Sequence, residues 1–120
     1  MTYTTLEQSK ALMNLGLDEK TADLTITSNS ITPYIHIKGL ERGNKEYPCW
    51  SAETLLKILP DEIYTNDTAY YLYIWKEDSK WYIQYIYSLD MGDELAASEE
   101  GELIDSLFKM IIWLLTNKLI

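Results

Sequence analysis

The stretch from Tyr70 to Ser88, YYLYIWKEDSKWYIQYIYS, decides the fold of this chain. It holds six of the ten tyrosines and two of the four tryptophans, so bulky β-formers crowd both sides of one polar tetrapeptide, Glu77 to Lys80. That arrangement predicts a β-hairpin. A two-residue loop at Asp78 and Ser79 sets Glu77 opposite Lys80, a favourable cross-strand charge pair. Tyr70, Leu72 and Ile74 then share one face with Ile83, Tyr85 and Tyr87, while Tyr71, Tyr73 and Trp75 share the other with Tyr82, Gln84 and Ile86. A three-residue loop pairs Trp75 with Trp81 instead and exchanges the faces of one strand. The sequence leaves both registers open. In either, both faces are too apolar for a sheet with one wet side, so one face calls for a helix and the other for a further layer, a partner or a ligand. Tyrosine permits a compromise, burying its ring while its hydroxyl reaches water.

On the C-terminal side, Leu89 to Glu94 reads as a loop dense in carboxylates that continues to Glu99 and Glu100. The acids lack the alternating pattern and distal glutamate of a calcium loop. The last helix is expected from Glu99 to Lys118 with Ser98 as its N-cap and Asp105–Lys109 as an i,i+4 ion pair. Leu103, Leu107, Met110, Ile111 and Leu114 form its apolar stripe, widened by Ile104, Phe108, Ile112 and Leu115. Glu102, Ser106, Lys109, Trp113 and Thr116 occupy the narrow remainder. A helix this apolar is mostly buried and is the obvious cover for one face of the hairpin. Trp113, on its least apolar side, is a candidate contact residue.

On the N-terminal side, Asp61 to Thr68 reads as polar linker. The preceding helix starts at Ser51 as N-cap, buries Leu55, Leu56, Ile58 and Leu59, and stops at Pro60. Trp50, just before the cap, stands where an apolar side chain staples back onto the helix. Upstream, Tyr34, His36 and Lys38 alternate with Ile35 and Ile37, which predicts a strand with one wet side, Pro33 suiting its start or an edge. Gly39 to Tyr47 is a turn-rich connector with the sole arginine, Arg42, near Lys38 and Lys45. The first helix begins at a capping box, Thr4 with Glu7, and ends at Gly16. Asp18 caps a further short turn.

The composition bounds the function. One domain covers residues 1–120, which is long enough to bury a core without metals or disulfides. Ten Lys and Arg against nineteen Asp and Glu leave a formal charge of -9, which argues against gripping nucleic acid phosphates or an anionic membrane. A single cysteine, Cys49, and no basic-then-apolar opening predict a cytoplasmic setting. No phosphate loop, zinc-protease motif, redox cysteine pair or serine nucleophile elbow occurs, so no cofactor or metal is expected and an enzyme is the less favoured reading.

Three blocks, TTLEQSKALMNLGLDEKTADLT, PCWSAETLLKILPDEI and ELIDSLFKMIIWLLTNKLI, cover about half the chain. The first carries Leu6 to Lys10, Leu15 to Leu17 and Thr21 to Asp23. The second carries Trp50, Ser51, Leu55, Leu56, Leu59 and Pro60. In these blocks the chain resembles a group of short uncharacterised proteins encoded in gut Bacteroidales genomes and their phages or mobile elements. Similar sequences often have Met at the position of Leu24 and Ala at that of Ser106. The resemblance implies a prokaryotic or phage setting and supplies no catalytic residue.

The expectation is therefore an α+β domain: an antiparallel or mixed sheet of three or more strands built around the long aromatic hairpin, with two to three helices on one face or end. Its leading function is that of a small non-enzymatic accessory protein acting through protein contacts, with a homodimer as one form. Tyr71, Tyr73, Trp75, Tyr82 and Trp113 are the candidate interaction surface. An acidic DNA-mimic inhibitor and a small-molecule domain or enzyme with a tyrosine-lined pocket are the alternatives.

Overall fold

Asp78 and Ser79 both take positive φ angles, 52° and 62°, in the computed structural model, which describes residues 2–29, 32–87 and 93–120. Two consecutive left-handed residues make the tight turn whose twist matches that of paired strands. The loop is thus the two-residue one, and Glu77 pairs with Lys80, Trp75 with Tyr82, Tyr73 with Gln84 and Leu72 with Tyr85. The two strands, β5 (Thr68–Glu77) and β6 (Lys80–Ile86), form the centre of a four-stranded antiparallel meander with β4 (Glu62–Thr65) and β7 (Glu94–Glu100). A second antiparallel sheet holds β1 (Leu24–Thr27) between β2 (Tyr34–Ile35) and β3 (Glu46–Cys49). Among the described residues three helices complete the α+β fold, α1 (Leu6–Asn14), α2 (Ala52–Ile58) and α3 (Leu103–Thr116), with a 3-10 turn at Glu19–Thr21.

α3 packs on β6 and β7, and α1 and α2 pack on α3. Ile63, Ile83, Tyr85 and Ala96 from the sheet meet Ile104, Leu107, Met110, Ile111 and Leu114 from α3, and Leu12, Trp50, Leu55 and Leu59 join the same cluster. The hairpin face with Tyr70, Leu72 and Ile74 is therefore the covered one. The smallest extent of the molecule is 20 Å, the thickness of one sheet and one helix layer.

Several local readings are corrected. Thr5, not Thr4, caps α1: its hydroxyl accepts from Gln8 N while the Gln8 side chain accepts from Thr5 N. Thr4 is fully buried, and its Oγ1 accepts from Trp50 N at 3.1 Å. Asp61 to Thr68 is no linker, because Asn66 and Asp67 (φ 51° and 60°) build a second tight turn and the flanks pair as β4 and β5. Ser98 lies inside β7, since Glu94 to Glu100 bond to β6 and α3 starts at Leu103. Of the acidic loop, residues 89–92 lie outside the described part. Lys109 pairs with Glu100 instead of Asp105. Asp105 accepts from Gln8 Nε2 at 2.8 Å, which ties α3 to α1.

Other readings hold. Gly16 has φ 94°, and Leu17 N reaches back to Leu12 O at 3.0 Å, a closure in which the left-handed glycine ends the helix. Ser51 caps α2 through Thr54 N. Asp23 reinforces that cap, accepting from Ser51 N at 2.9 Å and Ser51 Oγ at 2.6 Å. Burial alone would raise the pKa of Asp23, but the bonds from Ser51 outweigh it and hold the carboxyl below the usual carboxylate range. A depressed folded-state pKa stabilises the fold fully above the ordinary Asp value near ~4 and loses that contribution as pH falls through the folded-state value. Asp23→Ala is expected to cost about 0.5–1 kcal/mol at pH 7, solvent screening the bonds of this exposed carboxylate, and to flatten the acid limb of the stability curve, read from urea midpoints across pH 2 to about 7. An unchanged acid limb would contradict the assignment.

Candidate functional site

The face of the meander turned away from α3 carries the aromatic residues expected to form a surface, and Ile86 on the same face is fully buried. Tyr71, Tyr73 and Trp75 on β5 lie opposite Ile86, Gln84 and Tyr82 on β6, and Tyr64 on β4 extends the row through its partner Ala69. No helix other than α3 packs broadly on this sheet. Alternation sends β5 residues 71, 73 and 75 away from the face that α3 covers. Trp75 and Tyr82 stack with ring centroids 5.5 Å apart and planes 12° from parallel. The stack is consistent with their direct cross-strand pairing. Tyr71 is 45% exposed and Tyr64 67%.

Polar groups frame the face. Tyr82 OH donates to Glu99 Oε1 at 3.3 Å, and Lys80 Nζ holds the same oxygen at 3.0 Å. Partial burial and the Glu99 charge push the Tyr82 hydroxyl pKa up, while Lys80 draws that of Glu99 down. Glu99 and Glu100 are each held by a lysine. At the centre, Gln84 Oε1 is shielded from solvent and accepts no hydrogen bond among the described residues. Such an orphan acceptor costs about 1–3 kcal/mol.

Trp113 is not part of this surface. It is half-buried against the core cluster on α3, on the covered side of the sheet. The structure therefore brings together Tyr71, Tyr73, Trp75 and Tyr82 and separates Trp113 from them.

A second feature lies at the three-stranded sheet, in the connector read as locally basic. A cavity of about 740 Å³ is lined by Lys20, His36, Lys38, Leu40, Arg42 and Glu46, among others. None of the four clustered aromatics lines it. Arg42 is fixed by three carbonyl or hydroxyl acceptors: Thr25 Oγ1 at 2.9 Å, Leu24 O at 3.0 Å and Glu19 O at 3.5 Å. His36 Nδ1 lies 3.2 Å from the same Thr25 hydroxyl. Burial lowers the Arg42 pKa, and the acids Glu19 and Glu46 oppose that shift. Glu46 accepts from Tyr34 OH and, at 2.6 Å, from Gly43 N, and these bonds keep its pKa low. Gly39 has φ 89°, which closes the turn in which Leu40 N meets Ile37 O.

The apolar residues of this region differ from the expectation. Ile35 and Ile37 alternate as the dry side of a strand should, yet they are 79% and 67% exposed, and Leu40 is 61% exposed. Ile35 pairs with Leu24, which pairs in turn with Cys49, so Ile35 shares a side of the sheet with the fully buried Cys49. The pattern is right, but β2 stands at the sheet's edge and its side chains overhang the core. A run of exposed isoleucines within a strand-like alternation cannot be told from a buried one by period alone.

Cys49 is buried and its thiol pKa is pushed up by burial, the reverse of a reactive thiolate. Among the described residues no group of three or more His, Cys, Asp or Glu could hold a metal ion. Among the described residues no helix is long and apolar enough to cross a membrane. Compared with family models, curated proteins and solved structures, the chain matches none.

Proposed function

We propose that this chain is a small non-enzymatic accessory protein that binds another protein across the open face of its four-stranded sheet. The observation that carries the reading is the face itself: Tyr71, Tyr73, Trp75 and Tyr82 lie side by side with no helix layer over them, around the orphan acceptor of Gln84. Tyrosine and tryptophan give large contact area at low entropic cost and are enriched where binding energy concentrates. A partner donor reaching Gln84 would recover the cost of the unmade bond.

The size of the face favours a different partner over a second copy. Four strands ~4.8 Å apart, each about seven residues long at ~3.3 Å per residue, give a footprint of roughly 450 Å². A standard stable interface takes about 800 Å² from each side. The face suits a transient contact with a partner better than an obligate homodimer. The chain is accordingly expected to run as a monomer in light scattering at micromolar concentration. A photo-crosslinking residue at Tyr73 should give a discrete heterologous adduct in the cells that encode the protein. The same residue at Lys57, on the exposed side of α2, should not. Equal adduct patterns from the two positions would sink the reading.

A further inference from the structure

We propose that the aromatic face of the four-stranded sheet binds a basic, arginine-bearing segment of its partner protein. The inference rests on the reading of that face as a partner surface and names the chemistry the face selects.

Charge supplies the first argument. Directly paired strand residues share a side of the sheet. Pairing therefore puts Glu62 beside Tyr71, Glu99 beside Tyr82, and Glu77 with Lys80 on the side of the four aromatics, with Glu94 opposite Ile86 at the far corner. The four strands hold two cations, Lys76 and Lys80. Lys76 pairs with Trp81 on the α3 side, its Nζ 5.6 Å from the centre of that ring. Lys80 is engaged by Glu99 at 3.0 Å. Glu62, Glu77 and Glu94 are exposed and have no ion pair among the described residues. The two tight turns add Asp67 and Asp78 and no cation. The face is thus acidic along its β4 edge, its hairpin end and its β7 edge. A second copy would set these same carboxylates against each other, which disfavours self-pairing.

The rings supply the second. Tyr64 and Tyr71 are exposed, Tyr73, Trp75 and Tyr82 are half-buried, and the Trp75–Tyr82 stack lies at the hairpin end near Glu77 and Glu99. Lysines of the chain itself lie over rings elsewhere, Lys10 on Tyr47 and Lys76 on Trp81. An aromatic ring is negative on its face and attracts a cation placed over it. Arginine suits such a site better than lysine, because its guanidinium is flat, weakly hydrated and stacks, whereas the ammonium is a compact hydrated charge. It also carries five N–H donors and no acceptor. One of these can meet Gln84 Oε1, the acceptor without a donor at the centre of the face, as the ring beside it tilts.

The test uses the full chain, isotopically labelled, titrated in NMR with three capped hexapeptides in which serine alternates with arginine, lysine or glutamate. The arginine peptide is expected to shift the amides of residues 71–84 and the Trp75 indole N–H, and to bind about fivefold tighter than the lysine peptide of equal charge. The glutamate peptide should leave the spectrum unchanged. Trp75→Leu keeps the charge and much of the apolar area, and should lower the arginine peptide's affinity about fivefold, to that of the lysine peptide. Glu62→Gln combined with Glu77→Gln, both exposed changes, should weaken the two basic peptides alike. Equal affinity of the wild type for arginine and lysine peptides overturns the inference, as does arginine binding that maps off this face or survives both variants undiminished. A discrete photo-adduct from Tyr73 beside equal peptide affinities overturns this inference and leaves the partner reading standing. Equal adducts from Tyr73 and Lys57 end both.

Discussion

Replacing Trp50 by alanine is expected to cost about 3–5 kcal/mol, the upper range for emptying a core site. Trp50 is fully buried and belongs to the main cluster with Leu12, Leu55 and Leu59. Its backbone exchanges bonds with the strand-like entry of α1, Thr4 N to Trp50 O at 2.9 Å and Trp50 N to Thr4 Oγ1 at 3.1 Å. Its indole Nε1 donates to Thr21 Oγ1 at 2.9 Å, which joins the 3-10 turn to the same point. Alanine therefore opens a cavity and also leaves Thr21 without that donor. Domains of this size are held by about 5–15 kcal/mol in total, so a large fraction of the stability goes. Trp50→Phe keeps most of the area and loses the indole bond, for an expected cost of about 1–2 kcal/mol. Urea midpoints at unchanged slope would measure both. A cost below ~1 kcal/mol for the alanine variant would show that the site collapses without penalty and that Trp50 is no keystone.

Ser106→Leu should be nearly as damaging, which is the opposite of what helix periodicity suggests. On a helical wheel Ser106 sits on the polar remainder, where leucine would only widen the stripe. In the folded protein it is fully buried at the contact of α3 with β6 and β7. Ser106 Oγ donates to Trp81 O at 3.0 Å, and Ser98 Oγ donates to Ser106 O at 2.8 Å while lying 2.9 Å from its hydroxyl. Leucine would overpack this close approach, at about 1–3 kcal/mol, and leave the Trp81 carbonyl without the Ser106 hydroxyl, at about 1–3 kcal/mol more. Ser106→Ala should lose only the second part. Thermal and urea unfolding of the pair separates the two contributions. A leucine variant as stable as the wild type would mean that α3 can slide to make room.

The same two positions show where sequence reasoning reached and where it stopped. Trp50 could be assigned to the interior because its place before a capped helix leaves an aromatic few other options. The Asp78 and Ser79 turn was one of two registers that the sequence left open, and the two left-handed residues of the folded turn decide it. The β4 strand was missed because Ile63 and Tyr64 are too few for a period, though the Asn66 and Asp67 pair carried a turn signal. Glu94 to Glu100 was misread because its acids and small residues have weak strand propensity. It is a strand because β6 offers it an unpaired edge and α3 covers it. Of the candidate surface, Tyr71, Tyr73, Trp75 and Tyr82 follow from strand alternation and were found together, whereas Trp113 depended on how α3 rotates against the sheet.

By itself the sequence determined the α+β class, the long aromatic hairpin, the capped helices and the apolar stripe of the last helix, because each rests on short-range period and turn chemistry. Only the tertiary structure decided which hairpin face is covered, that Ser106 is interior, and that Ile35 and Ile37 overhang an open edge. Burial of a side chain depends on what lies across from it, and an alternating pattern is the same whether a helix covers that side or the sheet simply ends.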